Sequence, residues 1–200
     1  GRPDSMSAEK IAAMKACAVT RVSVNPQSMQ EETLVRIGRH HTPADIERMV
    51  YEIRAALDVH INMDVILGLP GETVEDVRRT MAAVTALAPD DITLHALALK
   101  RGSHLRLRME TEHVALPSDA ETLHMSTVAV RAVEEAGYRP YYLYRQGYMS
   151  GDLENVGYAR AGAESIYNIQ IMEERQTIIG IGGAATTKVL GIRSGRMRSV

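Results

Sequence analysis

The residues of this chain best suited to hold a polar ligand stand in, or just beyond, three apolar stretches. Asp64 lies inside Ile61-Asn62-Met63-Asp64-Val65-Ile66-Leu67-Gly68-Leu69-Pro70-Gly71. A carboxylate in such a run is costly unless it is paired or hydrogen-bonded, so Asp64 needs partners: a ligand, or a neighbouring backbone group or arginine. Gln27 follows Asn25-Pro26, where an earlier strand must stop, and His95, Lys100 and Arg101 stand in or after a third strand. Lys100, Arg101, Arg106, Arg108 and Arg145 would serve as a basic rim for a polycarboxylate, or simply as a solvated face. Tyr141, Tyr142 and Tyr144 offer flat faces and hydroxyls, although strand alternation predicts that half of them face the core. The glycines between Gly180 and Gly183 would cradle an anion only weakly. The single cysteine, Cys17, excludes an internal disulfide framework and any all-cysteine metal site in the chain. In its Ala16-Cys17-Ala18 turn it is expected to be a small, buried or partly buried residue.

These side chains must be positioned by alternating strands and helices. Ser7 caps a short helix to Ala16 with Ile11 and Met14 on one face, and a strand follows from Arg21 to Asn25. Thr42-Pro43 opens a helix with Ile46, Met49, Val50, Ile53 and Leu57 at helical spacing. Ile61 to Leu69 reads as a strand buried on both faces. Thr73 with Asp76 caps the next helix, and Ile92 to Leu99 is the next strand. After a polar connection from Arg101 to Pro117, Ser118 with Glu121 caps a helix through Val133, Gly137 follows its end, and Pro140 to Tyr144 is a fourth strand. Such alternation predicts parallel strands with outer helices. Four units amount to about half of an eight-stranded barrel, which needs roughly 250 residues. The expected architecture is therefore α/β: a partial (β/α) barrel over 1–145 and a C-terminal extension over 146–200.

Composition narrows the function classes. The 200 residues carry 23 Lys+Arg against 25 Asp+Glu and are 45% apolar, enough for one sizeable core. The charge balance lacks the basic excess of a protein that neutralises phosphates, so no nucleic-acid partner is expected. No apolar run approaches the ~20 residues of a membrane span. The opening Gly1-Arg2-Pro3-Asp4-Ser5 has no apolar signal segment, and a cytoplasmic setting is expected.

Three motifs in order carry a family resemblance. Arg21-Val22-Ser23-Val24-Asn25-Pro26-Gln27-Ser28, then Ile37-Gly38-Arg39, then Asn62 through Gly71-Glu72-Thr73 resemble the latter half of the radical S-adenosylmethionine (SAM) barrel. Within that superfamily they resemble the oxygen-independent coproporphyrinogen III oxidase group. Pro140 to Gln146 and Asn155-Val156-Gly157-Tyr158 are similar to its bacterial coproporphyrinogen dehydrogenase-like branch.

The resemblance implies a fold of radical SAM type, with S-adenosylmethionine as cofactor and a small tetrapyrrole as substrate. It implies that Gln27 and Asp64 face the ribose and polar groups of the cofactor, that Arg39 reaches its carboxylate, and that Ile66 packs on its adenine where Gly68 lets the backbone approach. Arg101, Tyr144 and Arg145 are the substrate-side candidates. The implied reaction is oxidative decarboxylation of coproporphyrinogen III propionates through a 5′-deoxyadenosyl radical, with a reducing electron donor as partner. Family chemistry also needs a four-iron four-sulfur cluster on three cysteines. Cys17 alone cannot hold one, so those cysteines and a family glutamate are expected upstream of a chain that starts partway through the barrel. No metal is expected in this chain, no radical activity from it alone, and dimerisation is expected through an exposed barrel edge. Two alternatives remain: a haem-binding or haem-transfer protein on the same scaffold, and a non-catalytic SAM-binding fragment.

Overall fold

The computed structural model describes residues 3–98, 114–145, 153–174, 176–182, 185–190 and 197–199, together with 105, 109 and 111. Helix starts follow local chemistry. Ser7 accepts from Lys10 N–H at the start of α1 (Ala8–Ala16). Reciprocal capping boxes, Thr42 with Asp45, Thr73 with Asp76 and Ser118 with Glu121, open α3 (Pro43–Ala56), α4 (Val74–Ala86) and α5 (Asp119–Glu135). Two shorter helices, α2 (Glu31–Arg36) and α6 (Ile166–Glu173), fall where no helical periodicity is read.

Strands β1 (Arg21–Ser23), β2 (His60–Leu67), β3 (Asp91–Ala96), β4 (Arg139–Tyr144) and β5 (Asn155–Ala159) form one sheet in the order β1-β2-β3-β5-β4. The first three pair in parallel, as expected of βα units. β5 is antiparallel to both of its neighbours, so β4 runs in the direction of β3 but lies one strand further out. The expectation that β4 continues the parallel ladder directly is thereby corrected: β5, from the segment assigned to the extension, is inserted between β3 and β4. β6 (Lys188–Leu190) and β7 (Met197–Ser199) make a separate antiparallel pair, and among the described residues the main sheet is open.

The two faces of the sheet differ in chemistry. Strand alternation sends Val22, Ile61, Met63, Val65, Ile92 and Leu94 to the helix side. There they join Ile46, Val50 and Ile53 of α3, Val77, Met81 and Val84 of α4, and Met125, Ala129 and Val133 of α5 in one core. The opposite face carries Arg21, Ser23, Asn62, Asp64, Ile66, Asp91, Thr93 and His95, residues that border two cavities. β2 is therefore not buried on both faces: Asp64 and Ile66 are half-buried on the open side.

Two further expectations are corrected. Cys17 is exposed, because it caps the C-terminus of α1 at the surface. The tyrosines of β4 do not divide between core and surface. A register shift between Pro140 and Tyr142 breaks the alternation, and Tyr141, Tyr142 and Tyr144 are all half-buried. Tyr142 lies over its register partner Gly157, where a Cβ would come 1.8 Å from Tyr142 Cε1. Glycine here makes room for the ring. Gly157→Ala should therefore displace Tyr142 and cost about 1–3 kcal/mol by overpacking. Thermal unfolding and the near-ultraviolet tyrosine signal would measure it, and an unchanged signal would show that the ring is not seated on Gly157.

Candidate functional site

The open face bears a continuous ladder of polar contacts that crosses the sheet from edge to edge. At the β1 edge, Arg21 pairs with Asp91 at 2.7 Å and donates to the Ala163 carbonyl at 2.5 Å. Asp91, itself 1% exposed, also accepts from the Tyr141 hydroxyl at 3.0 Å, and Asn168 donates to Tyr141 at 3.1 Å. Burial raises Asp91 to about 6 against the opposing pull of Arg21. Midway along, Thr93 and Tyr142 share a hydrogen bond of 3.1 Å, and burial lifts the Tyr142 phenol to about 12. Tyr142 stacks on Tyr144 with ring planes 4° apart.

Asp64 stands where the ladder meets the carboxyl ends of the strands. It accepts from Asn62 Nδ2 at 2.8 Å, and His95 Nε2 lies 3.7 Å away, an ion-pair distance rather than a tight hydrogen bond. The other ring nitrogen of His95 is 3.3 Å from the Tyr144 hydroxyl. Burial pushes the Asp64 pKa up, but His95, Asn62 and Thr93 together outweigh it and hold the carboxyl below its usual range. Asp64 is thus an anion at neutral pH with one side open to the cavity.

The Gln27 backbone is part of this construction. Its N–H donates to the Asp64 carbonyl at 3.0 Å and its carbonyl accepts from Ile66 N–H at 2.9 Å, extending β1 by one bridge to Val65. Gln27 holds a φ of +67°, the left-handed region that costs a non-glycine residue about 1–2 kcal/mol. That turn faces it into a cavity of about 330 Å³ shared with Asp64, Ile66, His95, Tyr144 and Asn155. A contiguous cavity of about 400 Å³ runs from Asp64 and His95 along Thr93, Asn62 and Ser23 to Arg21. A third space of about 380 Å³ lies between α6 and β4, but its lining of Pro140, Leu143, Ile169 and Met172 is largely apolar and away from the strand ends.

The structure thus brings four of the sequence candidates together: Gln27, Asp64, Ile66 and Tyr144. Arg39 is half-buried beyond the C-terminal end of α2, where its N–H donates to Leu34 O at 2.8 Å, and it lines neither site cavity. Gly68 takes a φ of +81° at the turn after β2, and Arg145 is exposed after β4; neither lines these cavities. Arg101, Lys100, Arg106, Arg108, Gln146 and Gly183 lie outside the described residues. His95, singled out in the sequence by its place in the third strand, joins them, and one residue with no role in the sequence reading is added: Asn155, whose side chain accepts from Ala96 N–H at 3.0 Å. Thr93, Asn62 and the Arg21–Asp91 pair also border the site.

A polar, acid-bearing cradle at the carboxyl ends of parallel strands, with a tyrosine pair at its rim, is where α/β folds place their ligand sites. Residues 1–84 match the Radical SAM superfamily. Over 197 residues the chain is 44% identical to the oxygen-independent coproporphyrinogen-III oxidase-like protein HemZ of Bacillus subtilis, covering 98% of this chain and 39% of that protein. It is 29% identical to the heme chaperone HemW of Mycobacterium tuberculosis, over 80% of this chain and 41% of that protein. Among solved structures it superposes on Escherichia coli coproporphyrinogen III oxidase (HemN), described as a radical SAM enzyme. The TM-score is 0.67 at 18% identity, over 93% of this chain and 42% of that one, which shows the shared fold. The match to the radical SAM superfamily thus lies in residues 1–84, and over nearly the whole chain the likeness is to a coproporphyrinogen-III oxidase-like protein. It spans about two fifths of the length of the relatives it matches. No helix among the described residues is long and apolar enough to cross a membrane.

Proposed function

We propose that this chain supplies the S-adenosylmethionine-binding strands of a radical oxidoreductase that decarboxylates the propionates of coproporphyrinogen III. The observation that carries this reading is the convergence of Gln27, Asp64, Ile66 and Tyr144 on one cavity at the strand ends. The donor set suits the cofactor. Asp64 accepts from vicinal hydroxyls, Gln27 both donates and accepts, and Ile66 gives an apolar flank for a purine. Arg39 and Gly68 belong to the same proposal, as the group that reaches the cofactor carboxylate and the close backbone approach. Tyr144, Arg145 and Arg101 are the proposed tetrapyrrole side.

S-adenosylmethionine supplies the hydrogen-abstracting chemistry when it is bound and reduced. The iron–sulfur cluster implied by the family does not fit this chain: its one cysteine is at the surface, and the described residues hold no group of three His, Cys, Asp or Glu that could bind a metal. Three thiolate ligands must therefore come from outside these 200 residues, and the chain alone is proposed to bind without turnover.

Likeness to heme chaperones supports a second reading, in which the same scaffold carries haem. Equilibrium dialysis with S-adenosylmethionine and, separately, haemin titration followed by gel filtration distinguish the two. Saturable S-adenosylmethionine binding without retained haem is expected. Haem retention without S-adenosylmethionine binding would transfer the proposal to the carrier.

A further inference from the structure

The turn that sets Gln27 is held from behind by a buried cluster that touches neither site cavity. Glu72, 6% exposed, stands in the turn between β2 and α4 and accepts from the Ser28 hydroxyl at 2.5 Å. Ser28 is the residue after Gln27. Its oxygen also accepts from Gln30 N–H at 3.1 Å and lies 3.5 Å from Thr80 Oγ1 of α4. Thr80 Oγ1 in turn accepts from Met29 N–H and from Gln30 Nε2, each at 3.2 Å. The segment 27–30 is thus fastened on one side to β2, through Asp64 and Ile66, and on the other to α4 and Glu72. Ser28 and Thr80 are 1% and 2% exposed, so water does not substitute for these bonds.

Gln27 has no glycine's freedom at φ +67°, and a side chain in that region stays there only where its surroundings impose it. The backbone pairing to β2 fixes one end of the residue; the Ser28 contact to Glu72 fixes the next. We infer that Glu72 is a positioning residue for the cofactor site: through Ser28 it holds Gln27 in its left-handed turn, and its protonation state is transmitted to the Gln27 cavity. The inference rests on the assignment of that cavity to S-adenosylmethionine.

The surroundings of Glu72 fit a carboxyl that changes charge near neutrality. Burial raises it to about 7, with the hydroxyls of Ser28 and Thr33 opposing. The charged groups facing it are Asp76 of α4, which raises it further, and Arg36 of α2, which lowers it. Arg36 also donates to the Pro70 carbonyl at 2.9 Å, clasping the same turn from the α2 side. Below neutral pH a neutral acid sits in this dry cluster without penalty. Above it the carboxylate is the stronger acceptor, so the bond it takes from the Ser28 hydroxyl becomes charge-assisted and the clamp on Ser28 tightens.

The test reads Gln27 directly, with and without cofactor. In ligand-free protein, the backbone and side-chain amide resonances of Gln27 should shift between pH 5.5 and 8.5 with a midpoint near 7, the value for Glu72. Glu72→Gln should abolish that titration. So should Ser28→Ala, which leaves Glu72 in place but cuts the link, while His95→Gln, which alters the cavity itself, should retain it. With S-adenosylmethionine, affinity should rise at least about fivefold from pH 6 to pH 8.5 in the native chain and stay level in Glu72→Gln. Titrating Gln27 resonances in a chain that does not bind S-adenosylmethionine would uphold the clamp and sink the ligand assignment. Gln27 resonances that ignore pH, or that titrate equally in Glu72→Gln and Ser28→Ala, would overturn the clamp whatever binds.

Discussion

Asp64→Asn is expected to weaken S-adenosylmethionine binding by about 1–3 kcal/mol, roughly five- to 150-fold in Kd, with little loss of fold. The substitution keeps the volume and one carbonyl oxygen, so the hydrogen bond from Asn62 has an acceptor still. What is lost is the charge, and with it the charge-assisted acceptance of ligand hydroxyls. The native carboxyl is held below its ordinary range, because His95, Asn62 and Thr93 outweigh burial. A folded value below the unfolded one means that this anion contributes stability above the unfolded value, lost only as pH falls through the folded one. Asparagine gives up that modest contribution as well. Calorimetric titration at pH 7 beside thermal unfolding separates the two effects. Unchanged affinity with a lowered Tm would make Asp64 a structural partner of His95 and nothing more.

Arg21→Met should destabilise the protein by about 3 kcal/mol at pH 8 and by much less at pH 5, because removing the cation strands a buried carboxylate. Asp91 is 1% exposed and Arg21 25% exposed, so solvent screens this pair little. The sign follows from the raised folded value of about 6 against 3.8. The neutral acid is the form the fold favours, its contribution is complete below the unfolded value, and it is lost as pH rises through about 6. Without Arg21 the carboxyl resists ionisation further, so the deficit of the variant must grow between pH 5 and pH 8. Urea unfolding at the two pH values measures it. An equal deficit at both would assign the contribution of Arg21 to its bond with the Ala163 carbonyl instead.

Which parts of this architecture are readable without coordinates depends on how local their cause is. The starts of α3, α4 and α5 are legible because their causes are local: Thr42 followed by Pro43 opens α3, and at α4 and α5 a Thr or Ser with an acid three residues on forms a bonded ring within one turn. Asp64 stands out because charge inside an apolar strand demands a partner. β5 does not: Asn155-Val156-Gly157-Tyr158-Ala159 has a glycine at its centre, and only the Tyr142 ring from another strand explains it. α2 is six residues long, too short to show a period. Asp91 follows Pro89-Asp90 and looks like loop sequence until Arg21, 70 residues earlier, is brought beside it. Glu72 is hidden for the same reason, since its partner is Ser28, 44 residues before it.

The insertion of β5 between β3 and β4 sets an order of assembly. β1, β2 and β3 pair through crossovers that are complete by residue 96, and α4 and α5 can pack as soon as residue 135 is made. Yet β3 keeps an unsatisfied edge until residues 155–159 arrive, and β4 cannot dock at all without them. During synthesis the nascent chain therefore carries a bare parallel edge across about 60 residues, several seconds of elongation at 5–20 residues per second. Asp91, Thr93 and His95 meet their β4 tyrosines only once β5 is in place, so the polar ladder is completed after the parallel strands have paired.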